Sequence, residues 1–221
     1  MNFFRQLTQK PWLPDENGVV GMHDGHVSAT PATRVGLKMF LVVVGVLFFL
    51  LTIAYAGRMV YEDWRPVPQP WLMWQNTAML MFASAGLYLA QTAARRDEWT
   101  QVKLGLIGAG GFTVGFIVGQ LLAWQQLVDK GIFELTNPAV ALFILITGLH
   151  GLHMLGGLVA WGRTADKVWQ RESYELVKVR QSIENCALYW HFLLAVWLVL
   201  FGLLFSGNDN MGILLTICGF K

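Results

Sequence analysis

The chain has 221 residues, 55% hydrophobic and only 14% charged, with ten Trp. Soluble domains carry about 25% charged residues, so this deficit points to a membrane protein. A net charge of +2, with no basic tract and no basic–aromatic interleave, argues against a nucleic-acid partner.

In chain order, residues 1–36 are mostly polar, with "PWLP" and "HDGHVSATPAT" among them, and read as an N-terminal tail. No short apolar core follows the start, so the first apolar run is expected to act as the targeting signal. Residues 37–205 hold five runs near the roughly 20 apolar residues that a bilayer core requires. They are Leu37–Ala56, Trp71–Ala93, Val102–Trp124, Ala139–Gly162 and Ala187–Phe205. The expected fold class is therefore all-α: a polytopic membrane bundle of five transmembrane helices forming one domain. Between the first two runs, "RPVPQPW" has three prolines and cannot be helical. "TNPAV" sets Asn137 as N-cap and Pro138 at the first helical position of the fourth run. The fourth loop, "GRTADKVWQRESYELVKVRQSIEN", mixes charged and apolar residues and suits a short surface helix. Residues 206–221 form a short C-terminal tail whose "MGILLTICGF" is too short to span.

Charge orients the chain. Arg5, Lys10, Arg34, Lys38, Arg95, Arg96, Lys103, Arg163, Lys167, Arg171, Lys178 and Arg180 fall on one side, and only Arg58, Arg65, Lys130 and Lys221 on the other. Twelve against four sets the N-terminus in the cytoplasm and the C-terminus outside. Cys186 and Cys218 flank the last run; a helix of about 20 residues would hold them about 30 Å apart, beyond disulfide reach.

No Asp or Glu lies inside any of the five runs. A proton or cation path is usually marked by a buried carboxylate, so this chain is not expected to conduct ions by itself. Gly111, Gly115 and Gly119 form a GxxxGxxxG ladder, whose four-residue spacing stacks small residues for close helix packing. Gln75, Asn76 and Thr77 lie near the outer end of the second run. There, either water or a neighbouring helix must satisfy them. His150 and His153 share a face of the fourth run, with His191 in the fifth. Metal chelation, haem ligation, lipid contact and hydrogen-bonded packing all remain open for them. The depth match of His191 is poor, and no Cys or carboxylate joins the set. A buried imidazole without a partner costs about 1–3 kcal/mol; Thr147, one turn from His150, is the nearest candidate.

Two of these segments are specific. "TGLHGLHMLGG" (Thr147 to Gly157) and "ALYWHFLLAVWLVLF" (Ala187 to Phe201) resemble the TGxHGLHV and YWHFVDVVWLFLF motifs of subunit III of the haem–copper oxidases. "NTAML" (Asn76 to Leu80) is similar to that family's LNT stretch, and Glu184 stands where the family sets a glutamate before YWHF. The resemblance runs from about Arg34 to Phe205 and matches the short, five-helix form. It implies a non-catalytic subunit of a respiratory terminal oxidase, of the cytochrome c oxidase type, without a cofactor or metal of its own. Haem and copper are then expected in partner subunits I and II, with phospholipid bound to this chain. It implies a clamp that stabilises subunit I and supports proton uptake during reduction of oxygen to water. His150, His153, Glu184, Trp190 and His191 become lipid or subunit contacts rather than ligands, and no catalytic residue is expected. The implied location is the cell's inner (plasma) membrane, the mitochondrial inner membrane being the second reading. Three positions depart from the family pattern by losing an acid: Gly45 in "VGVLFF", Leu194 in "YWHFLL" and Gln125 in "LLAWQQL". Alternatives are a quinol oxidase subunit III, a nitric oxide reductase-associated homologue, a small transporter and a haem-carrying anchor.

Overall fold

A computed structural model describes residues 32–59, 61, 64, 71–129, 131, 138–170 and 174–206. These residues form five helices: α1 (Ala32–Arg58), α2 (Leu72–Arg95), α3 (Trp99–Asp129), α4 (Pro138–Trp169) and α5 (Leu176–Ser206). Four of them, α1, α3, α4 and α5, are long and apolar enough to cross a membrane. The expected fifth crossing, α2, lacks so apolar a run. Its 24 residues include Gln75, Asn76, Thr77, Ser84, Gln91 and Thr92.

The helices overrun the apolar runs that seed them. The fourth loop, expected to hold a separate surface helix, is instead consumed by its neighbours: α4 continues to Trp169 and α5 begins at Leu176. Its charged residues are good helix formers, and ion pairs such as Glu175–Lys178 at 3.3 Å add to them. Pro138 opens α4 as expected. Asn137, the RPVPQP segment and the C-terminal tail beyond Ser206 lie outside the described residues.

Helix α5 is the hub, packing against α1, α2 and α4, while α3 packs against α2 and α4 and α1 against α4 and α5. Trp190, Trp197, Phe116 and Phe143 are the largest side chains in the buried core. The backbones of α2 and α3 approach closely at paired glycines. A Cβ on Gly105 would stand 2.7 Å from the Gly86 carbonyl oxygen and 3.1 Å from the Ala90 nitrogen. The expected GxxxGxxxG ladder does not make that contact. A Cβ on Gly115 would stand 3.1 Å from the Met79 sulfur and one on Gly119 would run into the Asn76 amide, but one on Gly111 would meet nothing within 4 Å. The reason is geometric: each four-residue step on a 3.6-residue helix advances about 40° around the axis. The ladder therefore winds off the α2 face within two turns.

Gly105→Val should lower the thermal unfolding temperature of the detergent-purified chain, since overpacking costs about 1–3 kcal/mol and the opposing atoms are backbone. Gly111→Val should leave it nearly unchanged. Equal shifts in both variants would show that the crossing point lies elsewhere.

Candidate functional site

The interior is polar at chosen points, and a repeated device connects them. Thr77, Thr113 and Thr147 each donate a hydroxyl proton to the carbonyl four residues back, at 2.9, 2.7 and 2.7 Å. A threonine oxygen keeps lone pairs after this bond, whereas an indole N–H is a donor only. The two are complementary. Trp197 Nε1 donates to Thr77 Oγ1 at 3.0 Å, Trp190 to Thr113 at 3.0 Å and Trp124 to Thr147 at 3.2 Å. Each pair joins two helices: α2 to α5, α3 to α5, and α3 to α4. A fourth indole, Trp161 on α4, donates to the Leu106 carbonyl on α3 at 3.0 Å. Of these tryptophans and Thr113, only Trp190 stands out in the sequence, as a contact residue; Trp124, Trp161, Trp197 and Thr113 do not. The available signal was that ten Trp are too many for interfacial belts alone, which leaves some for the interior.

The histidines separate into three environments. His191 pairs through Nδ1 with Ser84 Oγ on α2 at 2.6 Å. His153 Nδ1 lies 2.7 Å from the Leu149 carbonyl, so it donates within its own helix. Its carbonyl in turn accepts the Tyr189 hydroxyl at 2.8 Å. His150 is fully buried, and neither ring nitrogen has a hydrogen-bond partner among the described residues. Thr147, its expected partner, is already engaged by Phe143 and Trp124. Aromatic rings surround His150 instead: Trp197 at 5.2 Å, Phe116 at 5.9 Å and Phe48 at 6.0 Å between centroids. Among the described residues, no three His, Cys, Asp or Glu side chains are grouped to hold a metal ion.

Two assignments need correction. His150 and Trp190 have no exposed surface, so neither can touch lipid or another subunit. Trp190 is turned inward by its bond to Thr113 and by Gly157, where a Cβ would stand 3.0 Å from the indole. His153 and His191 are half-buried. Glu184 sits at the end of the bundle where α1 begins and α2 ends, 3.1 Å from Arg95 on α2 and 3.8 Å from Arg34 on α1. It ties three helices by charge; nearby, Arg180 reaches Asp97 in the α2–α3 turn at 2.6 Å.

Curated relatives give these segments a context. The chain is 31% identical to "Cytochrome c oxidase subunit 3" of Synechocystis sp. over 196 residues, covering 83% of this chain and 78% of the relative. The chain belongs to the cytochrome c oxidase subunit 3 family. The subunit 3 of Thermostichus vulcanus is 26% identical over 81% of this chain and 90% of its own length. A shorter match, 29% identical over 41% of this chain and 42% of the relative, is to "Cytochrome bo(3) ubiquinol oxidase subunit 3" of Pseudomonas putida. No family-level sequence profile matches. Within this subunit 3 chain, the three positions that lack an acid are placed differently. A Cβ on Gly45 would stand 3.7 Å from the Phe192 ring, Leu194 is half-buried and Gln125 is exposed.

Two substitutions test the reading of the interior. Thr113→Val leaves the Trp190 N–H buried without an acceptor, at a cost of about 1–2 kcal/mol, and should lower the unfolding temperature. His150→Phe keeps the ring stack and removes two unpaired nitrogens, so stability should hold or rise. A marked loss of stability in His150→Phe would mean that a polar partner holds the imidazole.

Proposed function

We propose that this chain is a non-catalytic subunit III of a haem–copper terminal oxidase, of the cytochrome c oxidase type. It holds phospholipid, stabilises subunit I and supports proton uptake while that subunit reduces oxygen to water. The observation that carries the reading is the 31% identity to a cytochrome c oxidase subunit 3 over most of both chains. The interior agrees with a supporting role. Its polar side chains are spent on joining helices: Trp–Thr bonds, the His191–Ser84 pair and the Tyr189–His153 bond. With Gly45, Leu194 and Gln125 at the acid positions of the family pattern, the spans offer no carboxylate to relay protons. Haem and copper belong to the partner subunits I and II. The match to a ubiquinol oxidase subunit 3 keeps a quinol-oxidising complex as the second reading, since the electron donor is chosen by other subunits.

The proposed arrangement in the cell's inner membrane has five crossings, α2 included, with a cytoplasmic N-terminus. At 24 residues, α2 is about 36 Å long and exceeds a hydrocarbon core of about 30 Å. Its polar residues Asn76, Thr77 and Ser84 are turned into the bundle. The twelve-to-four distribution of Lys and Arg supports the orientation. His153, His191 and Glu184 are assigned to the rim where lipid headgroups or a neighbouring subunit approach.

Purification of a tagged chain in mild detergent should bring down a haem-containing partner with an oxidase spectrum. The chain expressed alone should show no Soret band. A stoichiometric haem in the isolated chain would reject the supporting-subunit reading. Reporter fusions active only outside the cytoplasm should work after Lys130 and at the C-terminus, and fail between α2 and α3. An inactive C-terminal fusion in a stable product would reject five crossings.

A further inference from the structure

Where α2 turns into α3, the backbone departs from the usual residue choice. Asp97 has a φ of +60°, and the Arg96 and Glu98 N–H groups both donate to the Ala93 carbonyl at 3.0 Å. A helix that ends this way favours glycine or asparagine at the left-handed position. An aspartate there instead supplies a carboxylate, which accepts from Arg180 Nη2 of α5 at 2.6 Å. One turn further along α5, Glu184 holds Arg95 of α2 at 3.1 Å and Arg34 of α1 at 3.8 Å. Arg180 and Glu184 are four residues apart, the spacing at which two side chains of one helix meet. Among the described residues they do not pair with each other; both are turned to other elements. Base before acid is the weaker order for a pair within a helix, so an outside partner wins each of them.

We propose that these charges form a switch that sets the seating of α1. Asp97 occupies Arg180 and keeps it from Glu184, which leaves Glu184 free to hold Arg34. When Asp97 is neutralised or drawn away, Arg180 closes on Glu184 within α5, and α1 loses its ion pair. Three observations make α1 the element that responds. No indole–threonine bond reaches it among the described residues. Beside its second half, α1 parts from α5 and leaves a groove of about 250 Å³. Gly45, Phe48 and Thr52 line one wall and Ala195, Val196 and Val199 the other. At its N-terminal end, the Arg34–Glu184 pair and the bond from Gln181 Nε2 to Thr33 Oγ1 at 3.0 Å both run to one stretch of α5. The Asp97 side chain is 60% exposed, so a cation from outside reaches it and works the switch from the surface of the bundle.

The test looks for an exchange of partners rather than a loss of stability. The full chain, purified with whatever subunits accompany it, carries Leu41→Cys on the buried face of α1. Its alkylation rate by N-ethylmaleimide, read peptide by peptide in a mass spectrometer, reports how often α1 lifts. Val44→Cys, also buried, is the second reporter should the first fail to fold. Asp97→Asn keeps the left-handed backbone, which asparagine tolerates well. It should raise the rate roughly two- to fivefold, the weight of one surface ion pair. Arg180→Gln removes the competitor together with the pair and should leave the parent rate. The double variant, Asp97→Asn with Arg180→Gln, should return to the parent rate as well. Glu184→Gln should raise the rate equally with either residue at position 97. A plain electrostatic clamp gives a different pattern, in which Arg180→Gln is as fast as Asp97→Asn and the double variant shows no rescue; that result overturns the switch. An unchanged rate in either Asp97→Asn or Glu184→Gln overturns it too.

Discussion

The bundle depends on one constraint: a buried donor in a bilayer has no water to turn to. This chain meets it with indole N–H groups and threonine oxygens. Each threonine first satisfies itself on its own helix, giving its proton to the carbonyl four residues back. What remains is an acceptor, and an indole supplies only a donor. The pair is complete with two groups, so it can be placed anywhere along a span without a third partner. Three such pairs connect α2, α3, α4 and α5. The Trp161 bond to Leu106 adds a second point between α3 and α4.

Helix α1 is held differently. No indole–threonine pair reaches it among the described residues. Its attachments include the Phe48 ring against His150 and His153, at 6.0 and 5.5 Å between centroids, the Phe40 ring against His153 and Tyr189, and, at its N-terminal end, the Arg34–Glu184 pair and a bond from Gln181 Nε2 to Thr33 Oγ1 at 3.0 Å. An ion pair near the surface contributes little, about 0–1 kcal/mol. Helix α1 also leaves Met39, Val42, Val43 and Phe49 largely exposed. The physical division is between four helices locked by interior hydrogen bonds and one laid against them by apolar contact, with polar contacts at its N-terminal end. A membrane gives little hydrophobic drive between helices, so the position of α1 rests on ring packing and on whatever lies along its outer face.

The two motif segments acquire a mechanical meaning in this frame. In Thr147–Gly157, Thr147 accepts the Trp124 indole, His150 enters an aromatic enclosure, and Gly157 admits Trp190 and Tyr189. In Ala187–Phe201, Tyr189, Trp190, His191 and Trp197 each reach a different neighbour: the His153 carbonyl, Thr113, Ser84 and Thr77. These segments are therefore the two halves of one packing code, with α5 supplying most donors and α2, α3 and α4 the acceptors. His150 is the exception, enclosed by rings and unpaired at both nitrogens.

Much of this chain was legible from sequence because it depends on local quantities. Apolar run length located the five helices, Pro138 opened the fourth, and the paired motifs gave the family. Tertiary structure decided what depends on direction around a helix axis. The glycine ladder of Gly111, Gly115 and Gly119 was visible as spacing. Its 40° drift per step, with Gly105 and Gly86 making the close approach instead, appears only once two helices are set at an angle. His150 and His153 share a spacing, yet one is sealed and the other half-exposed. The side of a helix that a neighbour covers is not written in that helix's own residues. Trp190 shows the same limit: an indole in an apolar run serves equally at a lipid boundary or in a core, and only the position of Thr113 on another helix decides between them.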